Sequence, residues 1–327
     1  MEETKQQPLA VRVCAELAGS FLLCFAIYAL STWGSAVYGV NIVFMAVATA
    51  LAYGTVSFIF ARISGGQFNP SITVAAVLAS TTKLVDGVLY VLAQVIGAIA
   101  AGFAVVKLLP TSEQVTSTVW LTPAMNGFEQ GSVSYSLLNG YGITFSVSLA
   151  IVVEVVGSLI VVAAAMAATG KHGELSTHYP IAMAAAYGIA TAITYPVTGA
   201  GLNPARSTGI ALAAMNEGLT QNPVQQLWVF WIAPVLAAAV VSLAIIIVQM
   251  ATAPKPAPVQ DADGDAAYAD FVEDSYADES SADDSAEAGQ EADNSAEQGV
   301  TEQAEEAEIG NQQADSQADA DEGVERH

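Results

Sequence analysis

The sequence has little charge for its length, and this shortage excludes most water-soluble proteins. Asp, Glu, Lys and Arg make up 13% of the 327 residues, hydrophobic residues make up 53%, and the mean hydropathy is +0.47. Such a composition is too apolar for a soluble domain. Because only nine residues are basic, no nucleic-acid partner is expected. We therefore interpret the chain as a membrane protein with several spans.

Histidine and cysteine are also scarce. The three histidines, His172, His178 and His327, fall in a loop, at a helix entrance and at the end of a polar stretch. At membrane depth the sequence has no Ser/His pair and no cluster of metal ligands, so we predict neither an enzyme nor a cofactor or metal. Cys14 and Cys24 would lie roughly 15 Å apart in one helix, which is too far for a disulfide.

The negative charge is concentrated in one segment. Residues 251–327 hold 23 acidic and two basic residues, whereas residues 1–250 hold nine acidic and seven basic residues. This last segment is rich in Ala, Asp, Glu, Ser and Gln and cannot bury enough apolar area to offset the entropy of ordering. We predict a disordered, acidic, cytoplasmic tail. It either solubilises the chain or binds a partner of unknown identity.

Six apolar segments are long enough to cross about 30 Å of hydrocarbon, for which roughly 20 residues are needed. They lie at about 11–31, 40–61, 84–108, 142–169, 179–197 and 226–250. Most basic residues fall on one side if the N-terminal segment 1–10 is cytoplasmic, which predicts that both termini are cytoplasmic. We expect a multi-pass protein of the plasma membrane. The predicted membrane domain spans residues 11–250.

The membrane domain consists of two similar halves, about 11–108 and 142–250, separated by the polar connection 109–141. "AELAGSFLLCF" from Ala15 aligns with "VEVVGSLIVVA" from Val153, so Glu16 matches Glu154. Three spans per half is an odd number, so the second half enters the membrane from the opposite face. The pattern predicts an inverted repeat with its site near the midplane.

Two further apolar stretches, "GGQFNPSITVAAVLAS" (65–80) and "GAGLNPARSTGIALAAM" (199–215), are too short to span. Each predicts a re-entrant helix of about 11 residues, roughly 16 Å long or half a bilayer. Asn69 and Asn203 fit the N-cap, and Pro70 and Pro204 fit the first helical position. We expect the two helices to meet end to end, with both asparagine NH₂ groups facing a permeating molecule.

The loops before these helices are rich in glycine and can expose backbone carbonyls as hydrogen-bond acceptors. The candidate carbonyls are those of Gly65, Gly66, Gln67, Gly199 and Gly201. Carbonyls replace the lost hydration of a neutral solute, while two positive helix ends at the centre oppose cations and protons. Neutral permeants are therefore the expected class.

The boxes "SGGQFNPSIT" and "GAGLNPARSTG" resemble the paired NPA boxes of the aquaporins, the major intrinsic protein family. The resemblance covers roughly residues 10–250. It implies an all-α membrane protein with six transmembrane helices and two half-helices, and a homotetramer of independent pores in the lipid bilayer. The pore boxes are then Asn69-Pro70-Ser71 and Asn203-Pro204-Ala205. Ser71 departs from the usual Ala, and Gln67 departs from a frequent His.

By the same resemblance, Arg206 lines the narrowest part of the pore. Thr191 and Ala200 are the next filter positions, together with either Thr49 or Tyr53, one helical turn apart. Thr191 is alternatively a helix-packing residue.

The filter signals conflict about the solute. The residue types at the filter indicate a wide filter, whereas Ser207, Ala211 and the Phe230-Trp231 pair resemble the water-selective branch. A passive channel for water and small neutral solutes is the prediction, and a glycerol or small-polyol facilitator is the alternative.

Glu16 and Glu154 are carboxylates inside the membrane, and two roles are open for them. In the first role each accepts hydrogen bonds from the backbone N–H groups of its re-entrant loop and is structural. In the second they relay protons in a proton-coupled secondary transporter. We favour the structural role.

Overall fold

The computed structural model describes residues 7–253. The first six residues of the predicted N-terminal segment, and all but the first three residues of the predicted acidic tail, lie outside the described residues. The regular structure of the described part is helical, apart from an isolated bridge between Thr169 and Leu175.

The described chain has six helices that are long and apolar enough to cross a membrane and two of about half that length. In chain order they are α1 (Leu9–Ala29), α2 (Ile42–Ser64), the short α3 (Pro70–Leu78), α4 (Leu84–Lys107), α5 (Val147–Ala167), α6 (Tyr179–Thr198), the short α7 (Pro204–Ala214) and α8 (Val229–Ala251). A π-helical turn, Leu30–Gly34, continues α1 to Tyr38. The predicted six spans and two half-spans are confirmed.

The two half-helices begin where the Asn-Pro pairs predict. Asn69 and Asn203 are extended N-cap residues, and a proline without an N–H follows each one at the first helical position. The predicted length of α3 is wrong, because it has 9 residues whereas α7 has 11. Ser80 has a left-handed φ of 59°, and the N–H groups of the two residues after it both donate to the carbonyl of Ala76.

Corresponding helices of the two halves make corresponding contacts. The central spans α2 and α6 pack together, α3 packs against α8, and α7 packs against α4, so each half-helix lies against the last span of the other half. The approach of α7 to α4 is close. A Cβ on Gly102 would lie 2.6 Å from the carbonyl oxygen of Gly209, so no larger residue fits there. We call the side where α1 begins the near side and the opposite side the far side.

The polar connection between the halves contains two short helices, Ser117–Leu121 and Val133–Leu138. Its middle is not a simple surface loop, because Ala124 and Phe128 are buried. The N–H of Gly127 donates to the carbonyl of Thr198 at the end of α6 (3.0 Å). The connection therefore reaches the loop that leads into α7.

Candidate permeation site

The two half-helices meet at their N-termini, where the asparagine of each box bonds to the loop of the other. Nδ2 of Asn69 donates to the carbonyl of Leu202 (3.0 Å), and Nδ2 of Asn203 donates to the carbonyl of Phe68 (2.8 Å). Phe68 directly precedes Asn69 and Leu202 directly precedes Asn203, so the contact is reciprocal. Both asparagines are fully buried. The boxes thus have the twofold relationship expected of an inverted repeat.

The side-chain oxygen of each asparagine caps its own half-helix. Oδ1 of Asn69 accepts from the N–H of Ser71 (2.9 Å) and from its hydroxyl (2.8 Å). Oδ1 of Asn203 accepts from the N–H groups of Ala205 (3.0 Å) and Arg206 (3.2 Å). The hydroxyl of Ser71, where the box departs from the family pattern, therefore contributes to the cap of α3.

Two stacked tyrosines complete the contacts of the asparagines. Oη of Tyr187 accepts from Nδ2 of Asn69 (2.7 Å), and Oη of Tyr53 accepts from Nδ2 of Asn203 (2.8 Å). The two rings are nearly parallel, with an interplanar angle of 7° and their centroids 3.2 Å apart. Tyr53 comes from α2 and Tyr187 from α6, so the pair joins the central spans of the two halves at the level of the boxes.

These contacts correct the prediction that both asparagine NH₂ groups face a permeant. Each group has two hydrogens, and in the structure one is bonded to a loop carbonyl and the other to a tyrosine. Sequence reasoning missed Tyr187, although a signal exists: Tyr53 precedes Asn69 by the same 16 positions by which Tyr187 precedes Asn203.

Glu16 lies beneath the first loop and accepts four hydrogen bonds. Its donors are the hydroxyl of Ser64 (2.6 Å), the backbone N–H groups of Gln67 (3.0 Å) and Phe68 (2.7 Å), and Nε2 of Gln94 (2.8 Å). Phe68 has a φ of 46°, which is uncommon for a residue with a side chain. The carboxylate thus satisfies backbone donors that have no helical partner and holds the loop in this conformation.

Glu154 has the equivalent place beneath the second loop. It accepts from the hydroxyl of Thr198 (2.5 Å) and from the backbone N–H groups of Gly201 (2.8 Å) and Leu202 (2.7 Å). Leu202 has a φ of 53°, which matches the left-handed conformation of Phe68 in the first loop. Both glutamates therefore make the loop contacts on which the structural interpretation depends.

Arg206 lies in the first turn of α7, and a residue of the polar connection positions its guanidinium group. Nη1 of Arg206 donates to Oδ1 of Asn126, which also accepts from the hydroxyl of Ser207 (2.9 Å). Nη2 lies 3.4 Å from the carbonyl of Ala124. Nδ2 of Asn126 donates to the carbonyl of Gly199 (2.8 Å), so Asn126 links the arginine to the second loop. Sequence reasoning missed Asn126 and had no signal for it, because it lies in an aperiodic connection.

A narrow recess opens next to Arg206 and brings together the predicted filter residues. Its walls include Thr49, Thr191, Ala200 and Arg206, and Tyr53 and Tyr187 also line it. The remaining lining residues are Ile27, Met45, Tyr195, Gly199, Gly201 and Leu202. All four filter positions that the sequence predicts thus face one space on the far side of the boxes.

The structure distinguishes Thr49 from Tyr53 by depth. The hydroxyl of Tyr53 bonds to Asn203, so its tip lies at the level of the boxes. Thr49 precedes it by one turn of α2, or about 6 Å towards the far side. Arg206 is also displaced from Asn203 towards the far side, because α7 runs outward from the boxes. Thr49 is therefore the one nearer to the level of Arg206.

Three of the five predicted loop carbonyls already accept a hydrogen bond from the protein. The carbonyl of Gly66 accepts from Oη of Tyr179 (3.0 Å), that of Gly199 from Asn126, and that of Gly201 from the N–H of Asn203 (2.5 Å). Gly65 ends α2 with a φ of 97°, and the side chain of Gln67 donates to Thr82 (2.8 Å). A carbonyl oxygen has two lone pairs, so each of these carbonyls can accept a second hydrogen bond from a solute. Their role along a solute path stays a prediction.

Comparisons with known proteins agree with this geometry. The model of a family described as "Major intrinsic protein" matches residues 3–245. The chain belongs to the major intrinsic protein family. It is similar to Aquaporin Z of Brucella melitensis biotype 1, with 32% identity over 234 residues, which cover 70% of this chain and 93% of that protein. Aquaporin Z of Photorhabdus laumondii subsp. laumondii is 30% identical over 227 residues, covering 69% and 91%.

A solved structure supports the same fold for this member of the major intrinsic protein family. The aquaglyceroporin from Plasmodium falciparum matches with a TM-score of 0.58 and 17% identity, covering 72% of this chain and 95% of that chain. At this identity the likeness concerns the fold alone. The resemblance to the family is confirmed, and so is the arrangement of six spans and two half-helices.

Proposed function

We propose that the protein is a passive transmembrane channel for water and small uncharged solutes. The observation that carries this proposal is the reciprocal contact of Asn69 and Asn203 at the ends of two half-helices, beside a recess that contains Arg206. Family membership and the names of the relatives support it. A glycerol-type facilitator is the alternative within the family, because the filter positions Thr191 and Ala200 carry small side chains, which favour a wide filter.

Exclusion of ions follows from the charges at the site. The positive ends of α3 and α7 meet at the boxes, and the guanidinium of Arg206 lies one turn away. Cations and protons entering from the far side encounter this positive potential, whereas a neutral molecule does not. The channel is therefore expected to conduct solutes without net charge.

We assign the selectivity filter to Arg206, Thr191, Ala200 and Thr49. Oγ1 of Thr191 is buried and has no hydrogen-bond partner within residues 7–253, although it belongs to a residue that lines the recess. A buried hydroxyl without a partner is costly, so a passing solute with a hydroxyl group would satisfy it. This favours a filter role over simple packing. Tyr53 is assigned to the deeper level of the boxes.

A proton-coupled transporter using Glu16 and Glu154 is not favoured. Both carboxylates are fully buried and bonded to several donors of the adjacent loop. A carboxylate that relays protons has to exchange its partners, and loss of these bonds would release the loops that position the boxes. We propose a structural role for both.

We further propose that residues 11–250 form the channel domain of a homotetramer in the plasma membrane, with both termini in the cytoplasm. Large apolar side chains are exposed along the spans, as expected of surfaces that face lipid or a neighbouring protomer. The excess of basic residues on the near side supports the orientation.

Stopped-flow light scattering on proteoliposomes that contain the full chain tests the proposed function. Osmotic gradients of an impermeant sugar measure water flux, and glycerol gradients measure solute flux. We expect downhill flux that an uncoupler does not change. If neither the wild type nor a variant with both Tyr53 and Tyr187 replaced by Ala exceeds empty vesicles for either solute, the channel assignment is wrong.

A further inference from the structure

We propose that Tyr53 and Tyr187 form a second, deeper selectivity barrier, and that this barrier limits the size of the solute that passes. The inference rests on the proposed channel function. It differs from the filter at Arg206 in its level, in its residues and in its chemistry. A solute has to separate the stacked aromatic rings and replace their hydroxyl groups at the asparagines.

The geometry of the rings leaves no room for a solute between them. Their centroids are 3.2 Å apart and their planes are nearly parallel, so the two faces are in van der Waals contact. A water molecule, with a diameter of about 2.8 Å, requires the faces to separate by about that distance. Tyr53 and Tyr187 are 3% and 0% exposed, in keeping with a site that is closed in this conformation.

The hydroxyl groups add a chemical condition to this steric one. Each asparagine NH₂ group donates one hydrogen to a loop carbonyl and the other to a tyrosine. Neither hydrogen is therefore available to a solute while the two rings are stacked. A permeating molecule has to supply a replacement acceptor to both Asn69 and Asn203. Hydroxyl oxygens and water can do so, whereas an apolar molecule cannot.

The repeat explains why both rings are needed. Each tyrosine comes from the central span of one half and bonds to the asparagine of the other half. The recess that contains Arg206 is lined at its inner end by the same two rings, so a solute from the far side meets them after the filter. The two barriers therefore act in series, and the narrower one sets the limit.

Replacement of both tyrosines by Ala tests the proposal in the full chain. We expect the water permeability of Tyr53→Ala/Tyr187→Ala to exceed that of the wild type by about tenfold, as expected if two modest hydrogen bonds no longer have to break. Glycerol flux should appear in this variant and stay near the level of empty vesicles in the wild type. Tyr38→Ala/Tyr141→Ala, which removes two exposed tyrosines outside the recess, is the control and should conduct like the wild type.

A second variant distinguishes the effect of the rings from that of the hydroxyl groups, and it is less liable to misfold because it keeps the rings. Tyr53→Phe/Tyr187→Phe keeps the stacked faces but frees the asparagines, so it should exclude glycerol as the wild type does. Tyr38→Phe/Tyr141→Phe is its control, and gel filtration in detergent checks that each variant is folded.

Three outcomes would overturn the proposed barrier, its ring mechanism or the channel function. Equal glycerol flux in the wild type and the double Ala variant, with both above empty vesicles, overturns the barrier while leaving the channel function intact. Glycerol flux in the double Phe variant that equals that of the double Ala variant overturns the role of the rings. Absence of flux in every variant overturns the channel function itself, and the barrier with it.

Discussion

Glu16 and Glu154 bind the same two backbone positions in the two halves of the molecule. Each accepts from the N–H groups of the two residues that precede the asparagine of its box: Gln67 and Phe68 for Glu16, and Gly201 and Leu202 for Glu154. The asparagines can reach each other's loops only if these residues keep their conformation. The carboxylates therefore act on the site through the loops.

Replacement of either carboxylate by an amide should destabilise the protein. In Glu16→Gln or Glu154→Gln, one acceptor oxygen becomes an NH₂ group that faces backbone N–H donors. Loss of one such buried bond costs about 1–3 kcal/mol, so the thermal unfolding midpoint in detergent should fall. Glu113→Gln, at an exposed position of the connection, is the control and should unfold like the wild type. Unchanged midpoints in both amide variants would contradict the structural role.

Loss of Asn126 should destabilise the protein, because Asn126 bonds to the filter residue Arg206 and to the second loop. Asn126→Ala removes the acceptor of Arg206 and Ser207 and the donor to Gly199, leaving a buried guanidinium without its neutral partner. We expect destabilisation of about 1–3 kcal/mol, measured by thermal unfolding. Asn126→Asp should restore some of the lost stability, because it keeps the acceptor. The exposed Asn139→Ala serves for comparison, and an Asn126→Ala protein as stable as this one would argue against the link.

The sequence predicts the fold well because each element depends on local patterns. Apolar length identifies the spans, and Asn-Pro at 69 and 203 identifies the starts of the half-helices, since cap and proline chemistry act within one turn. The matching Glu16 and Glu154 predict the loop contacts, because a buried carboxylate and N–H groups without helical partners need each other. The predicted end of α3 is two residues late. The helix ends at Leu78, because Ser80 adopts a left-handed conformation that a serine does not predict.

The site is less predictable because its decisive contacts join distant elements. Whether an asparagine amide faces a solute or the protein depends on side chains from α2 and α6, and the spacing of Tyr53 and Tyr187 does not say that their rings stack. Asn126 comes from a connection without periodicity, so no pattern places it beside Arg206. Local rules thus position the boxes, whereas tertiary packing determines what covers them.

Removal of the Ser71 hydroxyl should affect stability more than selectivity. The hydroxyl donates to Oδ1 of Asn69 within the cap of α3 and is fully buried. Ser71→Ala keeps the backbone bond from residue 71, so we expect a loss of about 0.5–1.5 kcal/mol and an unchanged ratio of water to glycerol permeability. Ser148→Ala, on the exposed face of α5, is the matched control. A changed permeability ratio at wild-type stability would show that Ser71 acts on the solute.

Arg206→Ala should admit cations, provided that the barrier at the level of the boxes is opened first. Because the two barriers lie in series, the substitution is made in the Tyr53→Ala/Tyr187→Ala background. A positive charge at roughly 8 Å and an effective dielectric constant near 20 opposes a monovalent cation by about 2 kcal/mol, so its removal should raise potassium flux about thirtyfold. Flux is measured with a potassium-sensitive dye in proteoliposomes. Arg62→Ala, at an exposed position near the end of α2, controls for loss of a positive charge elsewhere. Equal potassium flux with and without Arg206 would mean that the helix ends alone exclude cations.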